Sequence, residues 1–205
     1  MRKYKKKMKK IISIILLILA TVNMTNAEEL AFRGISLKNK KTATNIEAQL
    51  KSKGYKFYGY ESGLKLFHGT WAAREAFVYC YNGYDETPSP NDPIASINVL
   101  IVMGSYSQAM TTWEELMEAL TKRYGKPVSS WNYFQENFDN YMNDYQKSIE
   151  YNQGRMNFYS LWKDERTETR LEMKLLPGFL VVRYYDYDQL GKIRMERAKK
   201  AVEDF

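Results

Sequence analysis

The 205-residue chain has 31 Lys and Arg against 24 Asp and Glu, a formal charge of +7, and a single cysteine. Seven of the cations fall within the first ten residues, so the remainder, Glu28 to Phe205, is formally neutral and lacks the basic footprint of a nucleic-acid binder. Those 178 residues can bury something near 70% of their unfolded surface without a disulfide, and one cysteine cannot form one within the chain.

Residues 1–10 are cationic, Ile11 to Ala20 is apolar, and Thr25-Asn26-Ala27 is a small-residue ending. That order predicts a signal peptide over residues 1–27, cleaved near Ala27. The apolar run is about half the roughly 20 residues a spanning helix needs, so no membrane span is expected after cleavage. No cysteine stands near the cut for lipid attachment. The expected location is periplasmic or extracellular, with residues 28–205 as one domain.

The mature chain opens with Phe32 to Leu37, a short extended lead. A helix follows, capped by Thr42 or Thr44, with Ala43, Ile46 and Leu50 on one face and Gly54 as its stop. Strands are predicted at Tyr55 to Tyr60, Leu64 to Thr70 and Glu75 to Tyr81, rich in Phe and Tyr. Asn82 to Pro93 is a proline-broken loop, and Ile94 to Met103 is the most strand-like segment of the chain.

Thr111 to Pro127 is the clearest helix. Trp113, Leu116, Met117, Leu120 and Tyr124 share one face; Thr111 with Glu114, or Thr112 with Glu115, offers a capping box; Gly125 and Pro127 end it. Strands then recur at Val128 to Phe134, Arg155 to Trp162, Glu168 to Leu176 and Phe179 to Tyr187. Between Thr169 and Leu175, Leu171, Met173 and Leu175 alternate with Arg170, Glu172 and Lys174, which predicts a sheet with one wet face and helices on the other. A last helix, capped by Asp188, closes the chain. The expected fold class is α+β: two degenerate helix-plus-antiparallel-meander repeats, about 28–104 and 105–205, with helices packed on one face of the sheet.

Phe32-x-Gly-Ile-x-Leu37, Lys53-Gly54-Tyr55, Gly69, the block Trp113…Leu116…Leu120…Tyr124-Gly-Lys-Pro127 and Tyr184-Tyr-Asp186 together resemble small, uncharacterised exported proteins of Bacteroides-type bacteria. Such proteins usually carry proline after Gly-Ile, where this chain has Ser36. The resemblance covers nearly the whole mature chain and brings no catalytic residues with it. At fold level the arrangement is similar to β-lactamase-inhibitor-like domains and small outer-membrane assembly lipoproteins, which are binding modules.

Chemistry-bearing sets are sparse. His68 is the only imidazole and has no nucleophile elbow or second metal ligand, which leaves it a hydrogen-bonded structural residue. Cys80 alternates like a strand residue, so it is expected as a small core group. The carboxylate pairs Asp186 with Asp188, Glu114 with Glu115, and Asp85 with Asp92 all have capping or turn explanations. Asp139-Asn140…Asn143-Asp144 lacks the alternation and glycine of a calcium loop. No catalytic residue, metal site or cofactor is therefore expected.

What remains is an aromatic surplus of 30 Phe, Tyr and Trp, only Tyr4 of them preceding residue 28. Most should pack in the sheet and core. Trp131, Tyr133, Phe138, Tyr141 and Tyr145, set among asparagines, are the expected ligand-binding residues, of a kind that stacks on sugars or anchors a protein. The competing account makes Phe134, Phe138, Tyr141 and Tyr145 one face of a packed helix. The function expected is binding to a protein or glycan of the bacterial envelope. The alternatives are an envelope hydrolase working on glycan or peptidoglycan through a carboxylate pair, and a purely structural assembly factor.

Overall fold

A computed structural model describes residues 29–38, 41–83, 88–134 and 142–203. The predicted signal peptide, Asp85, Phe138, Asp139, Asn140 and Tyr141 lie outside the described residues. Four helices and eight strands follow one another as α1 (Ala43–Ser52), β1 (Lys56–Glu61), β2 (Leu64–Trp71), β3 (Arg74–Tyr81), β4 (Ser96–Val102), α2 (Tyr106–Tyr124), β5 (Ser129–Phe134), α3 (Asp144–Asn152), β6 (Met156–Asp164), β7 (Thr169–Leu176), β8 (Phe179–Asp186) and α4 (Tyr187–Glu203). The fold is α+β, as the sequence predicts.

All eight strands form one antiparallel sheet in the order β1-β2-β3-β4-β8-β7-β6-β5. Each half is a helix followed by a four-strand meander, and the halves meet where β4 pairs with β8, Ile97 opposite Tyr184 and Val99 opposite Val182. Strands β2 and β6, β3 and β7, and β4 and β8 take equivalent places in the two meanders. The second half differs by α3, inserted between its first two strands, and by α4 at its end.

Alternation decides which side of the sheet is covered. On β7, Leu171, Met173 and Leu175 are buried while Arg170, Glu172 and Lys174 are not, and β3 buries Ala76, Val78 and Cys80 in the same manner. Directly opposed residues share a face, so the pairings carry this division across the sheet. Helix α1 brings Ala43, Ile46 and Leu50 to the covered face, and α2 brings Ala109, Trp113, Leu116 and Leu120. The lead segment fills the space beside them. Phe32 and Ile35 exchange backbone hydrogen bonds across Arg33 and Gly34, and the fully buried Phe32 ring lies 5.8 Å from the rings of Tyr55 and Tyr184 and 6.0 Å from Trp71.

Two predicted helix starts are corrected. α2 begins five residues before Thr111, where the Ser105 hydroxyl accepts from Gln108 N–H and Gln108 Oε1 accepts from Gly104 N–H. The proposed capping boxes do not form, because Thr112 is buried with its hydroxyl accepting from Arg74 Nε at 3.1 Å, and Glu115 is ion-paired to the same arginine. In α4 the Asp186 carboxylate, rather than Asp188, accepts from the Gln189 amide at 2.9 Å. The predicted stops hold: Gly54 and Gly125 adopt φ of 89° and 82°, left-handed values that suit glycine after a helix.

Candidate functional site

The face of the sheet opposite α1 and α2 carries most of the chemistry the covered face excludes. Trp131 stands opposite Tyr159, Tyr159 opposite Lys174, and Glu172 opposite Arg183. Further along the same face come Asn98, Leu100, Phe77, Tyr79 and His68. A register shift between Phe57 and Gly59 lets Tyr58 join them, its ring 5.0 Å from Phe77 and 6.0 Å from His68. The alternation of β7 made this face visible in sequence, but the neighbours across it depend on register.

Two of the predicted binding residues sit here. Trp131 is 51% exposed and stacks on Tyr159, centroids 5.2 Å apart and planes within 24°. Tyr133, also exposed, accepts a hydrogen bond from Asn157 Nδ2 at 3.0 Å. Tyr145 is 75% exposed but belongs to α3, which packs on α2 in the helical layer, so it is not part of the same patch. The single packed helix through Phe134 and Tyr145 is corrected as well: Phe134 ends β5 inside the core, and α3 starts only at Asp144 under a capping box from Asn143 and Gln146. Sequence reading missed Tyr159, Lys174 and Arg183 as neighbours of Trp131, because strand pairing alone brings them there.

Beside the stacked rings lies a hydrogen-bonded network. Glu172 accepts from the Tyr185 hydroxyl at 2.9 Å and the Tyr159 hydroxyl at 3.2 Å, and stands 3.8 Å from the Arg183 guanidinium. Arg183 Nε donates to Asn98 Oδ1 at 2.7 Å, joining the two halves of the sheet. Burial, and then the Glu172 charge, push the Tyr159 phenol up to about 12; the same causes raise Tyr185 further. Both phenols therefore stay protonated donors through the physiological range. Arg170 lays its guanidinium over the Tyr187 ring, 3.5 Å from the centroid, with its Nε buried and unpartnered. Where α4 leaves β8, Glu172, Arg183, Tyr185, Tyr187, Leu190 and Gly191 line a hollow of about 230 Å³.

No protein-family model, curated protein or solved structure gives a significant match to this chain. Its site is read from geometry. The open face carries Lys56, Lys163, Arg170, Lys174 and Arg183 against Glu61, Glu75 and Glu172, an excess of cations in which Lys163 is itself 3.6 Å from Glu165.

The candidates for catalysis fare differently. A second cavity, about 420 Å³, lies between α4 and the connection from β3 to β4 and holds Asp92, Asp186, Asp188 and Glu196, with Lys192 and Gln189. Two of these carboxylates have structural work: Asp186 caps α4, and Asp92 accepts from Asn82 Nδ2 and Ser89 N–H, both at 2.9 Å. Glu114 and Glu115 are on α2, away from that cavity, and Glu115 is held by Arg74. His68 lies within β2 rather than at its end, with Nε2 2.7 Å from Glu75. Cys80 is buried in the core, and that burial pushes its thiol up to about 12, which leaves no thiolate for chemistry at neutral pH. Among the described residues, no group of three or more His, Cys, Asp or Glu could hold a metal ion, and no helix is long and apolar enough to cross a membrane.

Proposed function

We propose that this chain is an exported binding protein of the bacterial envelope, without catalytic activity, whose recognition surface is the open face of its sheet. The observation that carries the reading is the half-exposed Trp131 stacked on Tyr159 beside the Glu172, Arg183 and Asn98 network. A flat ring flanked by fixed donors and acceptors suits a ligand with an apolar face and polar edges, which describes a sugar ring. The cationic and then apolar residues 1–20 support export, and the likeness to small exported proteins of Bacteroides-type bacteria agrees with it. Probing residues 28–205 with a glycan array and an envelope pull-down tests the reading. Binding that Trp131→Ala abolishes supports it; turnover of a substrate with no ligand or partner captured overturns it.

A second reading rests on the cavity at α4. An envelope hydrolase acting on glycan or peptidoglycan would use Asp186 and Asp188, which both line that cavity. Asparagine can cap a helix as aspartate does but cannot serve as a general base, so Asp186→Asn and Asp188→Asn separate the two roles. Hydrolysis of cell-wall glycan lost in either variant, with folding intact, would favour this reading over binding.

A further inference from the structure

We infer that the open face takes an acidic polysaccharide of the uronate type, one sugar ring stacking on Trp131 while Lys174 pairs with that residue's carboxylate. The inference rests on the binding reading above and names its ligand class. Trp131, Tyr159 and Lys174 lie directly opposite one another on three successive strands, so the backbones of Trp131 and Lys174 stand two strand spacings, about 10 Å, apart, a gap that a lysine side chain and one sugar unit can bridge. A ligand that stacks and carries its negative charge on the same sugar unit satisfies both at once.

The charges around the platform point the same way. Lys174 is exposed and has no acidic partner among the described residues. Glu172, the carboxylate nearest the stacked rings, is occupied by two tyrosine hydroxyls and faces Arg183. It therefore positions phenol and guanidinium groups more than it repels an anion. Arginine and lysine at a surface that already offers neutral donors favour carboxylate over hydroxyl ligands through charge-assisted hydrogen bonds. An acidic peptide is the competing ligand, because the hollow beside the platform is lined by Tyr187 and Leu190 as well as Glu172 and Arg183, and it forms one arm of the test below.

Calorimetry of residues 28–205, which carry every element of the fold, tests this against a short oligogalacturonate and the same oligosaccharide with its carboxyls methyl-esterified. The acid form should bind about tenfold tighter at low salt, an advantage that added salt erodes. Lys174→Gln should remove most of that advantage, whereas Trp131→Ala should abolish binding of both forms. Equal affinity for the two forms, or a Lys174→Gln protein that keeps the full advantage, overturns the uronate inference and leaves the binding reading standing. Failure to bind either form, with no envelope glycan retained on the array, overturns both. A single-stranded oligonucleotide, an acidic peptide or a phosphate-bearing oligosaccharide that binds as tightly as the oligogalacturonate also overturns it, because charge alone would then explain the affinity.

Discussion

The two faces of the sheet are made from the same strands and have opposite compositions. The face under α1 and α2 is apolar and closely filled, with Leu171, Met173, Val182, Val99 and Val78 fully buried beside Phe67, Phe158 and Trp162. The other is built of rings, amides and cations, and its buried Tyr185 and Asn98 are hydrogen-bonded to Glu172 and Arg183. Period-two alternation lets one sequence serve both ends: even a single strand such as β7 assigns its apolar residues to stability and the intervening ones to recognition. The lesson is that substitutions on the two faces should divide cleanly between folding and binding.

The largest expected effect is on the covered face. Leu171→Ala should destabilise by about 2–5 kcal/mol, read as a lower denaturant midpoint with an unchanged slope. Gly69→Ala should come next. A methyl built there would lie 2.5 Å from Cδ1 of Tyr55, a ring held in the core between Phe32 and the Thr70 carbonyl, so overpacking should cost about 1–3 kcal/mol. On the open face, Trp131→Ala should shift stability by only about 0.5–1 kcal/mol while removing ligand binding. Equal losses of stability from Leu171→Ala and Trp131→Ala would break the comparison.

The smallest effect sharpens it through pH. Asp164, at the end of β6, is buried, which alone would raise its carboxyl, but hydrogen bonds from the Arg166 side chain and backbone outweigh burial and hold it below the usual range. A carboxyl that binds its proton less readily folded than unfolded contributes stability above the unfolded pKa of about 3.9, and that contribution is lost as pH falls through the folded pKa. Denaturation at neutral pH and near pH 3 should show this loss, and Asp164→Asn should lessen it. An unchanged pH dependence in the variant would remove Asp164 as its source.

Much of this arrangement was legible in the residues. The succession of helices and strands along the chain, the wet and dry sides of β7, the glycine stops and the core role of Cys80 follow from periodicity and from φ requirements that are local. What could not be read was long-range. The start of α2 is set by Ser105, while Arg74 on β3 claims Thr112 and Glu115, an interaction 38 to 41 positions away. Likewise Trp131, singled out for its composition, gained its meaning from Tyr159 and Lys174, which register alone supplies. Tyr145 shared the composition of Trp131 but not its strand, and so faces elsewhere.

The join between β4 and β8 has a consequence for how the chain reaches this state. Within β1-β2-β3 and within β6-β7-β8 neighbouring strands are separated by short turns and can zip up in microseconds, but Asn98 and Arg183, bonded across the join, are 85 positions apart. Closing a span of that length is an entropic barrier that local contacts do nothing to lower, so the middle of the sheet should be the last part to assemble. Until it does, β4, the most apolar strand, presents a bare backbone edge on each newly made molecule, and crowding during synthesis is when this protein is most prone to clump.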